Sequence, residues 1–175
     1  MSERTKHHIQ QAFYTLLKTT YFSDITVQDI CDQARIHRST FYRYYNDKYV
    51  LLNIVVEGKF KDMHSTLPLS ESKTTIVAHI IDYFEDNMSF FKHITAENSD
   101  YLYESLDQFI SQMLLQNASK YEDALSQKIH NAKHPELLSN FYSSGIRKIL
   151  KKWVIDPDDQ YTKDDIIEFF VYIVE

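Results

Sequence analysis

Between Thr26 and Lys48 the chain gathers a set of hydrogen-bonding side chains with one chemical theme: Thr26, then Ser39, Thr40, Tyr42 and Arg43, then Lys48. Hydroxyls, a phenol, a guanidinium and an ammonium all donate to phosphate oxygens, and several can read base edges, arginine against guanine being the commonest specific contact. These groups do not suit bond-breaking chemistry. The two glycines, at positions 58 and 145, are too few and too far apart for a phosphate-cradling loop, and the chain has no His-Glu-x-x-His run. Its eight histidines are scattered. His130 and His134 have the i, i+4 spacing of a zinc pair, but Pro135 interrupts it. No metal, cofactor or enzymatic activity is predicted.

The elements that must position these groups are helices. At 100° per residue, Phe41 and Tyr45 fall within about 40° of each other and face a core. Ser39 and Arg43 point nearly the opposite way, with Thr40 and Tyr42 on the flanks. Ahead of this segment, which runs from about His37 to Tyr45, Val27, Ile30, Cys31 and Ala34 mark a short helix. Thr26-Val27-Gln28-Asp29 fits its N-terminal capping pattern. Ile9, Phe13, Leu16 and Leu17 define a first helix ending near Thr20, and a fourth begins near Asp47 with Val50, Leu51, Ile54 and Val55. Two short helices across a tight turn form a helix-turn-helix, whose second helix can enter the major groove.

Composition agrees. Only 2 glycines and 3 prolines in 175 residues leave too few turn residues for β architecture, so an all-α fold is predicted. The net charge of −6 divides unevenly. Residues 1–61 carry 9 basic against 6 acidic side chains (+3), and 62–175 carry the remaining 10 against 19 (−9), a mildly basic head on an acidic body. The single cysteine, Cys31, excludes an internal disulfide and suits a reducing compartment. Met1 to Gln11 is polar and does not read as a signal peptide. The apolar run Ile166 to Val174 is broken by Glu168 and falls short of the ~20 residues that span a bilayer. A cytoplasmic protein without a membrane partner is expected.

Leu67-Pro68-Leu69-Ser70 is the first joint, which places a helix-turn-helix DNA-binding domain at 1–62 and a helical ligand-binding and dimerisation domain at 63–175. In the second, Ile76, Ile80, Ile81 and Phe84 open a helix that bends around Asn87 to Ser89 and continues through Phe91. One long helical stretch from about Ser99 to Ile129 follows. Pro135 then suits a first helical turn, and Leu137, Leu138, Phe141, Ile149, Leu150 and Trp153 form the next stripe. Asp156-Pro157-Asp158-Asp159 is a turn, and Thr162 with Asp165 opens the last helix.

The run Tyr21 to Ile30, then Ala34, then Ser39-Thr40-Phe41-Tyr42-Arg43-Tyr44-Tyr45 through Lys48 to Leu52 closely resembles the TetR family of helix-turn-helix regulators. The resemblance covers about the first 60 residues. The segment from Gly145-Ile146 to Trp153 also looks like the penultimate helix of that family's shorter members. The resemblance implies that Thr26, Tyr42, Tyr44 and Lys48 touch phosphates. It places Gln28, Arg38, Ser39 and Tyr42 near bases, and it makes Ile30, Phe41, Tyr45 and Leu51 the small core. For Lys48 the first helical turn is itself a favourable place for an anion.

Four departures stand out. Arg35 replaces the turn glycine, where a left-handed conformation would strain any other residue; either the turn differs, or Arg35 serves another purpose such as a phosphate contact. His37 replaces the serine that starts the recognition helix and is a poorer cap, while Ser39 replaces a glycine within it. Cys31 stands for an alanine and reads as packing.

A helix-turn-helix buries too little alone, so a homodimer on a palindromic double-stranded operator is expected. Its interface is assigned to the last two helices: Gly145, Ile146, Ile149, Leu150 and Trp153 with Ile167, Phe170 and Val171. Gly145, costly inside a helix, suggests a close helix approach. The family implies repression relieved by a small-molecule effector in the body. The body's aromatics, Tyr83, Phe84, Phe90, Phe91, Tyr101, Tyr103 and Phe109, read first as core. The alternative reading is a helical protein-interaction module that kept the fold and lost DNA binding.

Overall fold

A computed structural model of the chain describes residues 3–68, 72–95, 99–120, 122–155 and 161–174. Among them are ten helices and no strand: α1 (Glu3–Leu17), α2 (Val27–Gln33), α3 (Arg38–Tyr44), α4 (Lys48–Ser65), α5 (Lys73–Asp86), α6 (Met88–Thr95), α7 (Ser99–Ala118), α8 (Ala124–His130), α9 (Pro135–Ile155) and α10 (Lys163–Val174). The all-α expectation holds. The expected turn at 156–159 and part of the joint, Leu69 and Ser70, lie outside the described residues.

The chain packs as two units. One is Met1–Ser65 together with Asn87–Ser99; the other is Thr66–Asp86 with Asp100–Glu175. Sequence order places α6 beside α5, yet α6 packs with the first unit, the head. Three bonds hold it there. The Phe22 amide donates to the His93 carbonyl at 3.0 Å. His93 Nδ1 lies 2.9 Å from the Leu17 carbonyl, and a carbonyl can only accept, so Nδ1 carries the proton. Tyr14 donates its hydroxyl proton to Asn87 Oδ1 at 2.9 Å. Rings complete the joint: Tyr14 on Phe90 at 5.2 Å, Phe60 on Phe91 at 6.1 Å and Tyr21 edge-on to His93 at 4.8 Å.

The head encloses Ile9, Phe13, Leu17, Phe22, Ile25, Ile30, Cys31, Phe41 and Leu51, all essentially inaccessible to solvent. The first-helix stripe Ile9, Phe13 and Leu17 is therefore what the 3.6-residue period implied, with Leu16 half-buried beside it. Phe90 and Phe91, read at first with the body's aromatics, are core of the head.

In the second unit α10 packs on α5, where Lys163 bridges Asp82 and Glu85. Leu125 and Ile129 of α8 and Ala118 of α7 form a buried cluster covered by Leu138 and Tyr142 of α9. Polar bonds tie α7 to α9: Arg147 pairs with Asp107 at 2.8 Å, and Ser111 donates to Asn140 at 2.7 Å. The long stretch from Ser99 to Ile129 divides into two helices, α7 and α8. Asp123 caps α8 by accepting from the Ser126 amide at 2.9 Å, and that local bond competes with continuing α7. The break at Asn87 between α5 and α6 falls where the bend was expected.

Two members of the expected dimer face, Leu150 and Phe170, are buried within the single chain, at 5% and 9% exposure. They are core here because their helices also pack on α5 and α8. Among the described residues nothing comes within 4 Å of a Cβ built on Gly145, so none of them makes a close approach that accounts for this glycine. Gly145 is solvent-exposed, whereas Ile146, Ile149, Trp153, Ile167 and Val171 are half-buried.

Candidate nucleic-acid interface

The recognition segment is built outward from its caps. Thr26 sits at the N-cap of α2 with extended backbone (φ −97°, ψ 162°). The Asp29 amide donates to Thr26 Oγ1 at 3.2 Å, while the Thr26 amide and hydroxyl donate to Asp29 Oδ2 at 2.8 and 2.6 Å. This is the capping box the sequence implied. The Thr26 hydroxyl, then the Thr26 amide, hold the Asp29 carboxyl below the usual carboxylate range.

The other end of α2 forms the turn. The Arg35 amide donates to the Asp32 carbonyl at 3.1 Å and the Ile36 amide reaches back to the Cys31 carbonyl at 2.9 Å. These two bonds define a Schellman motif, which needs a left-handed residue at its penultimate position. That residue is Arg35, at φ 50°, where a side chain costs roughly 1–2 kcal/mol relative to glycine. The family's turn is thus kept and the substitution is strained, which settles the first of the two alternatives left open for Arg35.

Four residues separate Gln33, the end of α2, from Arg38, the start of α3. His37 at its N-cap makes no side-chain cap bond, as its residue type implied. Phe41 is fully buried and Tyr45 is 3% exposed. Gln10 donates to the Tyr45 hydroxyl at 3.2 Å, and that hydroxyl donates on to the Lys6 carbonyl at 3.4 Å, pinning α3 to α1. Burial pushes the Tyr45 phenol up. With Phe41 and Tyr45 turned inward, Arg38, Ser39, Tyr42 and Arg43 face solvent, and Thr40 and Tyr44 lie half-buried at the edges. Arg38 Nη2 donates to the Tyr42 hydroxyl at 3.3 Å, which pre-orders two of the expected base-reading groups. The side chains of Ser39 and Arg43 have no hydrogen-bond or ionic partner among the described residues.

Two expected phosphate contacts are already engaged. Lys48 opens α4, and its Nζ donates to the carbonyls of Phe22 at 2.9 Å, Ser23 at 3.2 Å and Ile25 at 2.6 Å. A lysine has three N–H donors, so each now has an acceptor. Burial pushes this ammonium down, against the nearby Asp24 and Asp29. The single hydroxyl proton of Thr26 goes to Asp29. A phosphate contact by either residue therefore exchanges one of these bonds or runs through water. Gln28 is exposed, with its amide on Asp32 at 2.8 Å.

The sequence had no signal for His93, which meets its partner 76 residues away. Arg35, by contrast, was marked by the glycine it replaces. Among the described residues no group of three metal-ligating side chains forms, and no helix is long and apolar enough to cross a membrane.

Residues 71–175 match the TetR-family model described as a transcriptional regulator C-terminal region. The chain belongs to the TetR family of transcriptional regulators. This match lies wholly outside the helix-turn-helix, so it is independent of the signature at Tyr21–Leu52. The chain is 27% identical over 90 residues to the HTH-type dhaKLM operon transcriptional activator DhaS of Lactococcus lactis, covering 51% of this chain and 48% of that protein. It is 29% identical over 102 residues to the HTH-type regulator YxbF of Bacillus subtilis, covering 52% of this chain and 26% of the relative. The aligned segments thus span about half and about a quarter of those relatives. A TetR transcriptional regulator from Streptococcus agalactiae superposes over 99% of this chain and 94% of its own, with a TM-score of 0.71 at 24% identity. The dihydroxyacetone kinase operon activator DhaS does so over 99% and 97%, at 0.62 and 18%. At these identities the likeness is one of fold.

Proposed function

We propose that this TetR-family regulator binds double-stranded DNA as a homodimer, laying α3 of each copy in the major groove of a palindromic operator. One observation carries the reading. The inward pair Phe41 and Tyr45 fixes α3 so that Arg38, Ser39, Tyr42 and Arg43 project together from the head. In this reading Arg38, Ser39, Tyr42 and Gln28 read bases, while Thr40, Arg43 and Tyr44 join Thr26 and Lys48 along the backbone. Half-sites then lie about 34–36 Å apart, or a multiple of that.

The partner copy covers the outer faces of α9 and α10. Leu137 and Phe141 stand 68% and 72% exposed at i, i+4, with Gly145 at i+8 continuing the stripe. Phe169 and Tyr172 are 42% and 80% exposed on α10. Apolar side chains this open in one chain are what a helix-on-helix dimer buries. The interface is thus centred on Leu137, Phe141 and Tyr172, with Gly145, Ile146, Ile149, Trp153, Ile167 and Val171 beside them.

Control by a small-molecule effector in the second unit and action in the cytoplasm complete the proposal. Repression is the expected sign, although the Lactococcus relative is named an activator. Mobility shift of the full chain on the promoter of its neighbouring gene, at two salt concentrations, tests the core of it. A regulator shifts that fragment specifically and weakens steeply with salt, because phosphate contacts release counterions. Absence of a specific shift at low salt would favour the protein-interaction module instead, and a promoter reporter reads the sign of control.

A further inference from the structure

Arg35 carries a cost without an internal return. The two Schellman bonds force its backbone to φ 50°, the only positive φ at a non-glycine among the described residues. Glycine would meet those bonds without strain. The side chain does nothing inside the chain to offset this: Arg35 is exposed, and its guanidinium has no hydrogen-bond, ionic or ring partner among the described residues. The nearest acid in sequence, Asp32, is taken up by Gln28.

Its position gives the side chain a use. Arg35 lies in the turn between α2 and α3, three residues before Arg38, so a group that reaches out from it flanks the exposed face of the recognition helix. Two of the four phosphate contacts that the resemblance implies, Thr26 and Lys48, have every donor engaged within the head. A free guanidinium, always charged and forked to fit a phosphate, supplies what they withhold.

We propose that Arg35 is a contact to the DNA phosphate backbone, held in the turn at the expense of local stability, so that binding strength and fold stability oppose each other at this one position. The proposal rests on the DNA-binding reading above.

The test uses the full chain with two fluorescent duplexes, the promoter fragment and a random sequence, from 50 to 200 mM salt. Arg35→Gly removes strain and charge together. Arg35→Asn tolerates the left-handed backbone but lacks the charge, and Arg35→Lys keeps the charge. Expected for the glycine and asparagine variants is an unchanged or raised thermal midpoint. Both duplexes are bound roughly three- to tenfold more weakly at 50 mM, and the slope of log K against log salt is shallower by about 2, since a dimer loses one phosphate per copy at ~0.9 each. Arg35→Lys retains most of the slope. Wild-type affinity and slope in Arg35→Gly and Arg35→Asn would overturn the phosphate contact while leaving the DNA reading intact. Failure of the wild type to bind either duplex at 50 mM would remove both. A lowered thermal midpoint in both variants would overturn the opposition between stability and binding.

Discussion

The Lys48 ammonium donates to the Ile25 carbonyl at 2.6 Å, which ties the first turn of α4 to the residue just ahead of the α2 cap. Ile25 is followed directly by Thr26, the N-cap of α2, so α4 and the helix-turn-helix share one short, well-bonded stretch. On its other side that stretch is held by His93, whose carbonyl accepts from the Phe22 amide at 3.0 Å. Lys48 therefore acts inside the head whatever it does at DNA.

Replacing Lys48 with methionine keeps the stem and removes the three bonds. A loss of about 1.5–3 kcal/mol in urea unfolding is expected, the range for hydrogen bonds to a charged group. DNA affinity should fall by a similar factor on cognate and random duplexes, because the displaced stretch carries no base contact. A variant as stable as wild type would show these bonds to be idle.

Arg38 and Tyr42 are bonded to each other across one helical turn at 3.3 Å. Arg38→Ala and Tyr42→Ala should weaken the cognate site preferentially, by ~1–3 kcal/mol if a base contact is lost. The double variant should lose less than the sum of the two, since each single change already disorders the other's partner. Competition binding with random DNA reads this; equal losses on both duplexes would remove the base-reading role.

Thr26 and Asp29 make the α2 cap dependent on pH. The folded-state Asp29 carboxyl is depressed, so its contribution is complete above the ordinary carboxylate range and is lost as pH falls through the depressed value. Asp29→Asn should therefore be less stable than wild type at pH 7, with the gap closing at strongly acid pH. Thr26→Ala should cost about 0.5–2 kcal/mol at neutral pH. Denaturant midpoints across pH check both, and a gap that widens in acid would reverse the assignment.

Leu137 and Phe141 are open to solvent in the single chain, so charging them should leave the fold untouched. Leu137→Asp with Phe141→Asp is expected to convert a dimer to a monomer in sedimentation, with helix content retained by circular dichroism. Operator affinity should drop by at least about tenfold, because two half-sites no longer bind as one unit. A variant that stays dimeric would place the interface elsewhere.

Features that depend on neighbours along the chain were legible from residue order. The Thr26–Asp29 capping box, the inward pair Phe41 and Tyr45 and the turn position of Arg35 are all set within four residues, by hydrogen-bond geometry and the 3.6-residue period, and they fix the helix-turn-helix. The tertiary structure alone decided the rest. Lys48 reaches carbonyls 23 to 26 residues back, His93 reaches 76 residues back, and α6 joins the head although it follows α5 in the chain. Likewise the apolar stripes of α9 and α10 showed that a face is buried, not by what. Leu150 and Phe170 went to the chain's own core, while Leu137 and Phe141 were left outside. Periodicity gives a helix its apolar side, but only the packing of distant helices decides which neighbour covers it.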